Sequence, residues 1–401
     1  MTQSMAVPRS AADVTALIRE ANAEGRAVYP RGGNTLADYG LPVARSGMVI
    51  DLRQLNQVDD YPARDMTITV GAGITVAELQ KALAAEGQTL PVDIPLPERS
   101  TIGGALAANL SGPRRLGYGT LRDYLIGVSF INDQGEQCKA GGRVVKNVAG
   151  YDLCKLLIGS WGTLGIITQA TLKVRPRAEG RAVVVARVPV SKLEAILTGL
   201  HETNTRPVAV SVQGDQSQAN LARLLVCFEE KGTTVSWQLN QLREEFAGMA
   251  LAELATHRNA AAEEAIQELT DILLPPAPPA WVWKASVPAS QVAAFIGEAE
   301  MRLLRWVAHA SSGIVIGQAD GTCNAAEIQR LRDLAGKRSG SLTVWRAPEA
   351  HRHAEVLWGT VRPELAMMQR VKAALDPKGL FNPGRYCPDP RMSSPRSGLL
   401  Y

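Results

Sequence analysis

The chain has 401 residues, 46% hydrophobic and 20% charged, with a net charge of +4. That is enough for two or three globular domains, and so small a charge, with no polybasic tract, argues against nucleic acid as a partner. No apolar run reaches the roughly eighteen residues of a spanning helix, residues 1–13 lack a secretory apolar core, and the five scattered cysteines form no Cys-x-x-Cys pair. Together these predict reduced thiols, a cytoplasmic location, and no iron–sulfur or zinc ligand set in this chain.

Residues 11–24 carry Val14, Leu17 and Ile18 on one face of a predicted helix. A strand over 27–29 enters a glycine-rich loop, Pro30-Arg31-Gly32-Gly33-Asn34-Thr35. Strands follow at 48–51 and 66–70. Thr75 and Glu78 have capping-box spacing ahead of Val76, Leu79 and Leu83. A second glycine-rich stretch runs Ser100-Thr101-Ile102-Gly103-Gly104 and on through Asn109, Gly112, Tyr118 and Gly119. Residues 125–132 read as a strand into an Asp133-Gln134-Gly135 turn, 152–158 as a helix, and 165–174 as a β-branched strand. Arg175-Pro176-Arg177 closes a first domain at residue 177.

Glycines set beside Ser, Thr and Asn let backbone N–H groups approach an anion with no Cβ in the way. A buried diphosphate needs many such donors. Two cradles about seventy residues apart therefore suggest one large phosphate-bearing cofactor held between two lobes. It is not held by a Rossmann fingerprint: Gly71-Ala72-Gly73 has Val76 where the third glycine belongs. No Gly-Lys-Ser or Gly-Lys-Thr of a P-loop occurs either.

The middle, 178–354, has a weak internal repeat. A strand over 182–188 meets Pro189-Val190-Ser191 and a helix with Leu193, Ile196 and Leu197. A strand over 281–287 meets Pro288-Ala289-Ser290 and a helix with Val292 and Phe295. Strands at 208–212 and 224–228 answer strands at 307–310 and 313–317, and helices at 235–246 and 325–334 end the halves. This predicts an α/β domain built on one helix-covered antiparallel sheet, with 247–279 joining its halves. Pro363 starts a helix that Asp376-Pro377 stops. The tail, 387–401, is rich in Pro, Ser and Arg and is expected to be disordered.

Three motifs carry a family resemblance. They are the loop at 30–35 with the 100–119 stretch, the run Asn147-Val148-Ala149-Gly150-Tyr151-Asp152 through Gly159-Ser160-Trp161-Gly162-Thr163-Leu164-Gly165-Ile166-Ile167-Thr168, and the close Phe381-Asn382-Pro383-Gly384-Arg385. The chain resembles the flavoproteins that share the FAD-binding (PCMH-type) domain of vanillyl-alcohol oxidase and D-lactate dehydrogenase. Within that family the short length and Gly112-Pro113-Arg114-Arg115 are most similar to the FAD-binding subunits of bacterial glycolate oxidases.

The resemblance implies an α+β fold: a two-lobed FAD-binding domain at 1–177, an α/β cap at 178–354, and a segment at 355–386 returning to the FAD domain. It implies that Pro30, Arg31, Gly32, Gly33, Asn34 and Thr35 cradle the diphosphate. Ser100, Thr101, Ile102, Gly103 and Gly104 would lie along its other side, with Asn109, Gly112, Tyr118 and Gly119 in the same wall. Gly162, Gly165, Ile166 and Ile167 would border the adenosine. Relatives that attach FAD covalently carry a histidine where Asn34 stands, so a noncovalent flavin is implied.

Hydroxy-acid-oxidising relatives also hold a divalent metal in the cap with a His-x-Gly-Asp-Gly-Asn-x-His segment. The corresponding 312–321 has no histidine, so no metal is expected, and His309 just before it reads as a core or surface residue rather than a ligand. His351 and His353 read as a solvated helix start, and His201 and His257 lack ligand partners. Arg114 and Arg115 either bind a carboxylate or tune the flavin, or else pair with acids. Lys146 and Tyr151 are weaker candidates.

The expected function is that of a flavin-bearing electron-transfer or structural subunit of a glycolate-oxidising complex. A catalytic flavoprotein and an iron–sulfur subunit would be its partners, and would supply any contact with a membrane. A free-standing 2-hydroxy-acid dehydrogenase and an NADPH-dependent cell-wall reductase are the alternatives.

Overall fold

The computed structural model describes residues 3–143, 151–215, 218, 220–247, 252–274, 280–299, 305–359 and 363–385. Lys146, the 147–150 part of the second family motif and the 387–401 tail lie outside the described residues.

Local chemistry starts the first lobe. Ser10 caps α1 (Ala11–Glu24), with its hydroxyl accepting from Asp13 N–H and Asp13 returning the bond, and Gly25 ends the helix in the left-handed region. Strands β1 (Gln3–Ala6), β2 (Ala27–Arg31) and β3 (Gly47–Asp51) form a three-stranded parallel sheet, order β1-β3-β2. Val14 and Ile18 of α1 pack on Val28, Met48 and Ile50 of this sheet.

The second lobe contains β4 (Val58–Asp60), β5 (Thr67–Gly71), α2 (Val76–Ala85), β6 (Gln88–Thr89) and α3 (Ile102–Ala108). Then come the short α4 (Arg115–Tyr118) and α5 (Leu121–Tyr124), β7 (Leu125–Ile131), β8 (Gln137–Gly141), α6 (Leu153–Leu157), β9 (Ile166–Lys173) and β10 (Arg175–Pro176). Its five-stranded antiparallel sheet runs β4-β5-β9-β7-β8, and β6 pairs with β10. The capping box is present: Thr75 Oγ1 accepts from Glu78 N–H at 3.1 Å and Glu78 Oε2 from Thr75 N–H at 3.0 Å.

The cap consists of two copies of one unit. The first is β11 (Gly180–Pro189), α7 (Leu193–Glu202), β12 (Ala209–Gly214), β13 (Leu221–Glu230), α8 (Gly232–Glu245) and β14 (Ala252–Arg258), followed by α9 (Ala260–Asp271). The second is β15 (Trp281–Ser286), α10 (Val292–Ala299), β16 (Arg305–His309), β17 (Ile314–Ala319), α11 (Ala325–Lys337) and β18 (Ser341–Arg346). Each has ferredoxin-like βαββαβ order. The halves join through β12 and β16 into an eight-stranded antiparallel sheet, β14-β11-β13-β12-β16-β17-β15-β18.

Residues 247–279 were expected only to join the halves. They instead supply β14, the fourth strand of the first unit, and α9. The alternation in Ala252–Arg258 is weak because this is an edge strand with one neighbour.

Helices α7, α8, α10 and α11 bury one face of the cap sheet. The other face packs on α9 and on Leu36, Tyr39 and Trp161 of the first domain. Finally α12 (Ala354–Trp358) packs near β18, and α13 (Pro363–Leu375) leads the chain back to the first lobe. There Val28 N–H donates to Leu380 O at 2.7 Å and Asn382 N–H to Val28 O at 2.9 Å, extending the edge of β2. Buried Asp376 holds this return, accepting from Leu380 and Phe381 N–H, each at 2.8 Å.

Candidate functional site

The two glycine-rich stretches meet. A Cβ on Gly33 would lie 1.7 Å from Arg99 O, and one on Gly32 would lie 2.1 Å from Thr101 Oγ1. Only glycine permits this approach between loops about seventy residues apart in the chain. The one residue of the 30–35 loop in the left-handed region is Asn34, at φ 57°, a conformation asparagine tolerates better than most side chains. The second stretch turns into α3, where Thr101 caps the helix by accepting from Gly104 N–H at 3.3 Å.

Between the loops lies a cleft of about 340 Å³. Pro30, Arg31, Gly32, Gly33, Asn34, Thr35, Ser100, Thr101, Gly103, Gly104, Gly162, Gly165, Ile166 and Ile167 all line it. Ala105, Ala107 and Ala108 present small side chains along α3, and Val49 and Leu52 add apolar wall. Among the described residues that line it, Arg31 and Arg385 are the charged ones, and none is a carboxylate.

Arg385 donates to Leu36 O at 2.8 Å and also to Ala37 O. Burial, then the neighbouring Arg352, pushes its pKa down to about 10 against the opposing pull of Asp38, as expected of a cation largely shielded from water. A negatively charged group in the cleft would relieve that penalty. The cradle, the small-residue wall and this charge fit an FAD diphosphate.

The sequence reading placed further residues here that the structure puts elsewhere. Ile102 is fully buried in the second-lobe core. Asn109 ends α3 in the left-handed region. Gly112 packs against Asp93 and Thr270, and Gly119 against Asp123. Tyr118 donates to Glu229 Oε2 at 2.8 Å, and Tyr151 is 92% exposed.

Of the alternatives for Arg114, a carboxylate-binding or flavin-tuning charge or a partner of acids, the structure shows the last: it is the centre of a buried ion network, with Asp93 at 2.6 Å, Glu229 at 2.8 Å and Glu263 at 3.1 Å. Arg181 joins it through Glu229 at 2.5 Å and through Glu263. Burial opposes the Arg114 charge, but Asp93 and Glu229 more than offset it and raise its pKa. The second lobe and the cap are thus tied by a group whose charge is already matched. Arg115 points elsewhere, donating to Ser111 Oγ at 3.2 Å.

Sequence reasoning gave no role to Tyr29, Leu36, Trp161, Asn382 or Arg385, which also line the cleft. The signal was present in the closing Phe381–Arg385 signature. Asn382 Nδ2 donates to Trp161 O at 2.8 Å, and Lys372 Nζ to Thr163 O at 2.7 Å, so the returning segment braces the loop at 161–163.

A two-lobed domain with a glycine-cradled cleft, covered by a cap sheet, defines a flavoprotein of the vanillyl-alcohol oxidase type. The comparisons agree. Residues 2–141 match the FAD binding domain model and residues 352–386 the model of the C-terminal domain of FAD linked oxidases. The chain is 30% identical over 368 residues to glycolate oxidase subunit GlcE of Escherichia coli (strain K12), covering 88% of this chain and 91% of that protein. It is 27% identical to D-2-hydroxyglutarate dehydrogenase of Xanthomonas citri pv. viticola, covering 95% of this chain and 88% of that protein. An alkyldihydroxyacetonephosphate synthase shares the fold, at TM-score 0.70 and 19% identity, over 94% of this chain and 76% of that one.

The chain belongs to the FAD-linked oxidases. It is an FAD-dependent oxidoreductase whose sequence is similar to the GlcE subunit of glycolate oxidase. Among the described residues no helix is long and apolar enough to cross a membrane, and no group of three or more His, Cys, Asp and Glu side chains could hold a metal ion.

Proposed function

We propose that this chain holds FAD noncovalently in the cleft between the 30–35 and 100–104 loops and acts in the oxidation of a small 2-hydroxy acid, glycolate, to its 2-oxo acid. In this reading it is the flavin-bearing electron-transfer or structural subunit of a complex whose other members are a catalytic flavoprotein and an iron–sulfur subunit. Backbone donors of the 30–35 loop and of the α3 N-terminus would face the diphosphate, with Arg31 and Arg385 balancing its charge. Bound FAD supplies the two-electron chemistry; the chain supplies the binding, orientation and exclusion of water.

The observation that carries the reading is the convergence of both glycine stretches on one cleft whose described lining residues include no carboxylate. The subunit role is supported by the similarity to a protein named as one subunit of an oxidase. The similarity to a dehydrogenase over nearly the full chain favours a second reading, a free-standing FAD-dependent 2-hydroxy-acid dehydrogenase.

Acid precipitation of the purified yellow protein tests the cofactor reading. All flavin should pass into the supernatant; colour retained in the pellet would overturn noncovalent binding. No flavin uptake after incubation with FAD would overturn the cleft assignment.

A further inference from the structure

Two bulky residues beside the cofactor cleft stand in the left-handed backbone region, Trp161 at φ 53° and Leu96 at φ 50°. A large side chain crowds the backbone there and costs energy that glycine would not. Such residues persist where the surroundings over-determine them and a site uses the result. Trp161 lies in the loop between α6 and β9. Its N–H donates to Ala107 O of α3 at 2.8 Å, and its carbonyl accepts from Asn382 Nδ2 at 2.8 Å. The next residue has no slack: a Cβ on Gly162 would stand 2.9 Å from Pro30 Cγ and 3.0 Å from Asn382 Nδ2. Lys372 Nζ then holds Thr163 O at 2.7 Å. The loop is pinned from α3, from the first cradle and from the returning C-terminal segment.

That pinning sets where the indole goes. Trp161 lines the cofactor cleft and also packs against the apolar cluster that contains Val282 and Ile316 of the cap sheet. Leu36, which follows the first cradle, does both as well. Leu96, which precedes the second cradle, packs against the same cluster, and its carbonyl accepts from Arg99 and Ser100 N–H at 2.9 and 2.8 Å. Each of the three loops that build the cleft thus sends one apolar side chain to the seam between cleft and cap. The torsion angles at Trp161 would suit glycine better, and the two bonds that fix it are made by its backbone. The indole is therefore kept for what its ring covers.

We infer that Trp161 is a positioning residue for the cofactor: with Leu36 and Leu96 it forms an apolar partition that closes the cleft on its cap side and keeps solutes at the cap face away from the flavin. Asn382 acts through Trp161, by holding its carbonyl. The inference rests on the flavin reading given above and deepens it. A flavin walled off from the cap is shielded from water and from competing small molecules. Such a flavin suits a subunit that passes electrons on and leaves the hydroxy acid to a partner.

Iodide quenching of fluorescence in the purified full-length chain tests the partition. Bound flavin in the wild type should be quenched with a shallow slope. Trp161→Gly keeps the torsion angles and removes the ring; it should steepen that slope severalfold and weaken FAD binding about tenfold. Trp161→Phe should restore most of both, and Asn382→Gly should fall between, with circular dichroism confirming that each variant is folded. Equal slopes in wild-type and Trp161→Gly chains that both hold FAD would overturn the proposal. A second arm needs no flavin. The tryptophan emission lost in Trp161→Phe should be quenched by iodide less steeply than that lost in Trp237→Phe, since Trp237 is 52% exposed. Equal quenching of the two would overturn the partition whatever the flavin does. A chain with Trp161 shielded in this way that takes up no FAD would sustain the partition while removing the flavin reading.

Discussion

At the scale of single residues, the loop glycines are required by close approach rather than by unusual torsion angles, since the left-handed position is taken by Asn34. This separates two substitutions. A side chain on Gly33 collides with the carbonyl of Arg99, which is backbone and cannot yield. Gly33→Val should therefore disturb packing as well as flavin binding. Gly104 also lines the cleft, but a Cβ there meets only Thr101 Oγ1, at 3.1 Å. Gly104→Val should lose most of the bound FAD with the circular dichroism spectrum retained; full flavin occupancy would show that the α3 N-terminus is not part of the cradle.

His309 gives a pH signature. Burial, then Arg115 and Lys284, lower its pKa to about 3, whereas a histidine in an unfolded chain charges near 6.5. Between those values the unfolded state binds the extra proton, so stability falls as pH drops through this window. Urea unfolding from pH 7 to 4 should show a steeper loss for wild type than for His309→Gln, by on the order of a few kcal/mol. Parallel curves would mean that the native imidazole is not held neutral.

At the scale of elements, Arg114 is the cleanest test of how the parts are tied. It starts from the segment leading into α4 and meets Asp93 of the second lobe, Glu229 on β13 and Glu263 on α9. Removing one partner of a buried ion network leaves uncompensated charge, typically costing about 3–5 kcal/mol. Arg114→Leu should lower the unfolding midpoint accordingly while leaving the wavelength of the flavin absorbance unchanged. An unaltered midpoint would show that the network contributes nothing net.

The cap repeat was legible because Pro189-Val190-Ser191 and Pro288-Ala289-Ser290 each close a strand rich in buried residues and open a helix. Strand β18 was missed with β14, because both lie at sheet edges and their pattern depends on a single neighbour. The cleft was legible in its glycines, whose spacing is local. The ion partners of Arg114 were not, since Glu229 and Glu263 lie more than a hundred residues away and only the folded sheet brings them near. Lys284 left a faint trace, a charge directly after the apolar run Trp281-Val282-Trp283.

At the scale of the whole molecule, the cap is fastened to the first domain at several points. Tyr39 donates to Leu273 O at 2.6 Å, Gly40 N–H to Trp345 O at 2.7 Å, and Arg352 to Gly40 O at 3.2 Å. A flavin in the cleft would therefore lie beneath a cap held in place by both halves of the sheet. His309, on the cap-sheet face turned toward the first domain, is held a weak base by burial, so it is poorly suited to take a proton from a hydroxy acid. Electrons also need a route onward, and the chain's dispersed cysteines offer no spacing for a cluster. Both gaps are filled if the chain works beside a catalytic flavoprotein and an iron–sulfur subunit. Glycolate-dependent dye reduction, measured on this chain alone, on the partner chains without it and on the co-expressed set, should then appear only in the complete set. Brisk turnover by this chain alone would replace the subunit reading with a free-standing dehydrogenase, and full activity of the partners without it would reduce its role to none in that reaction.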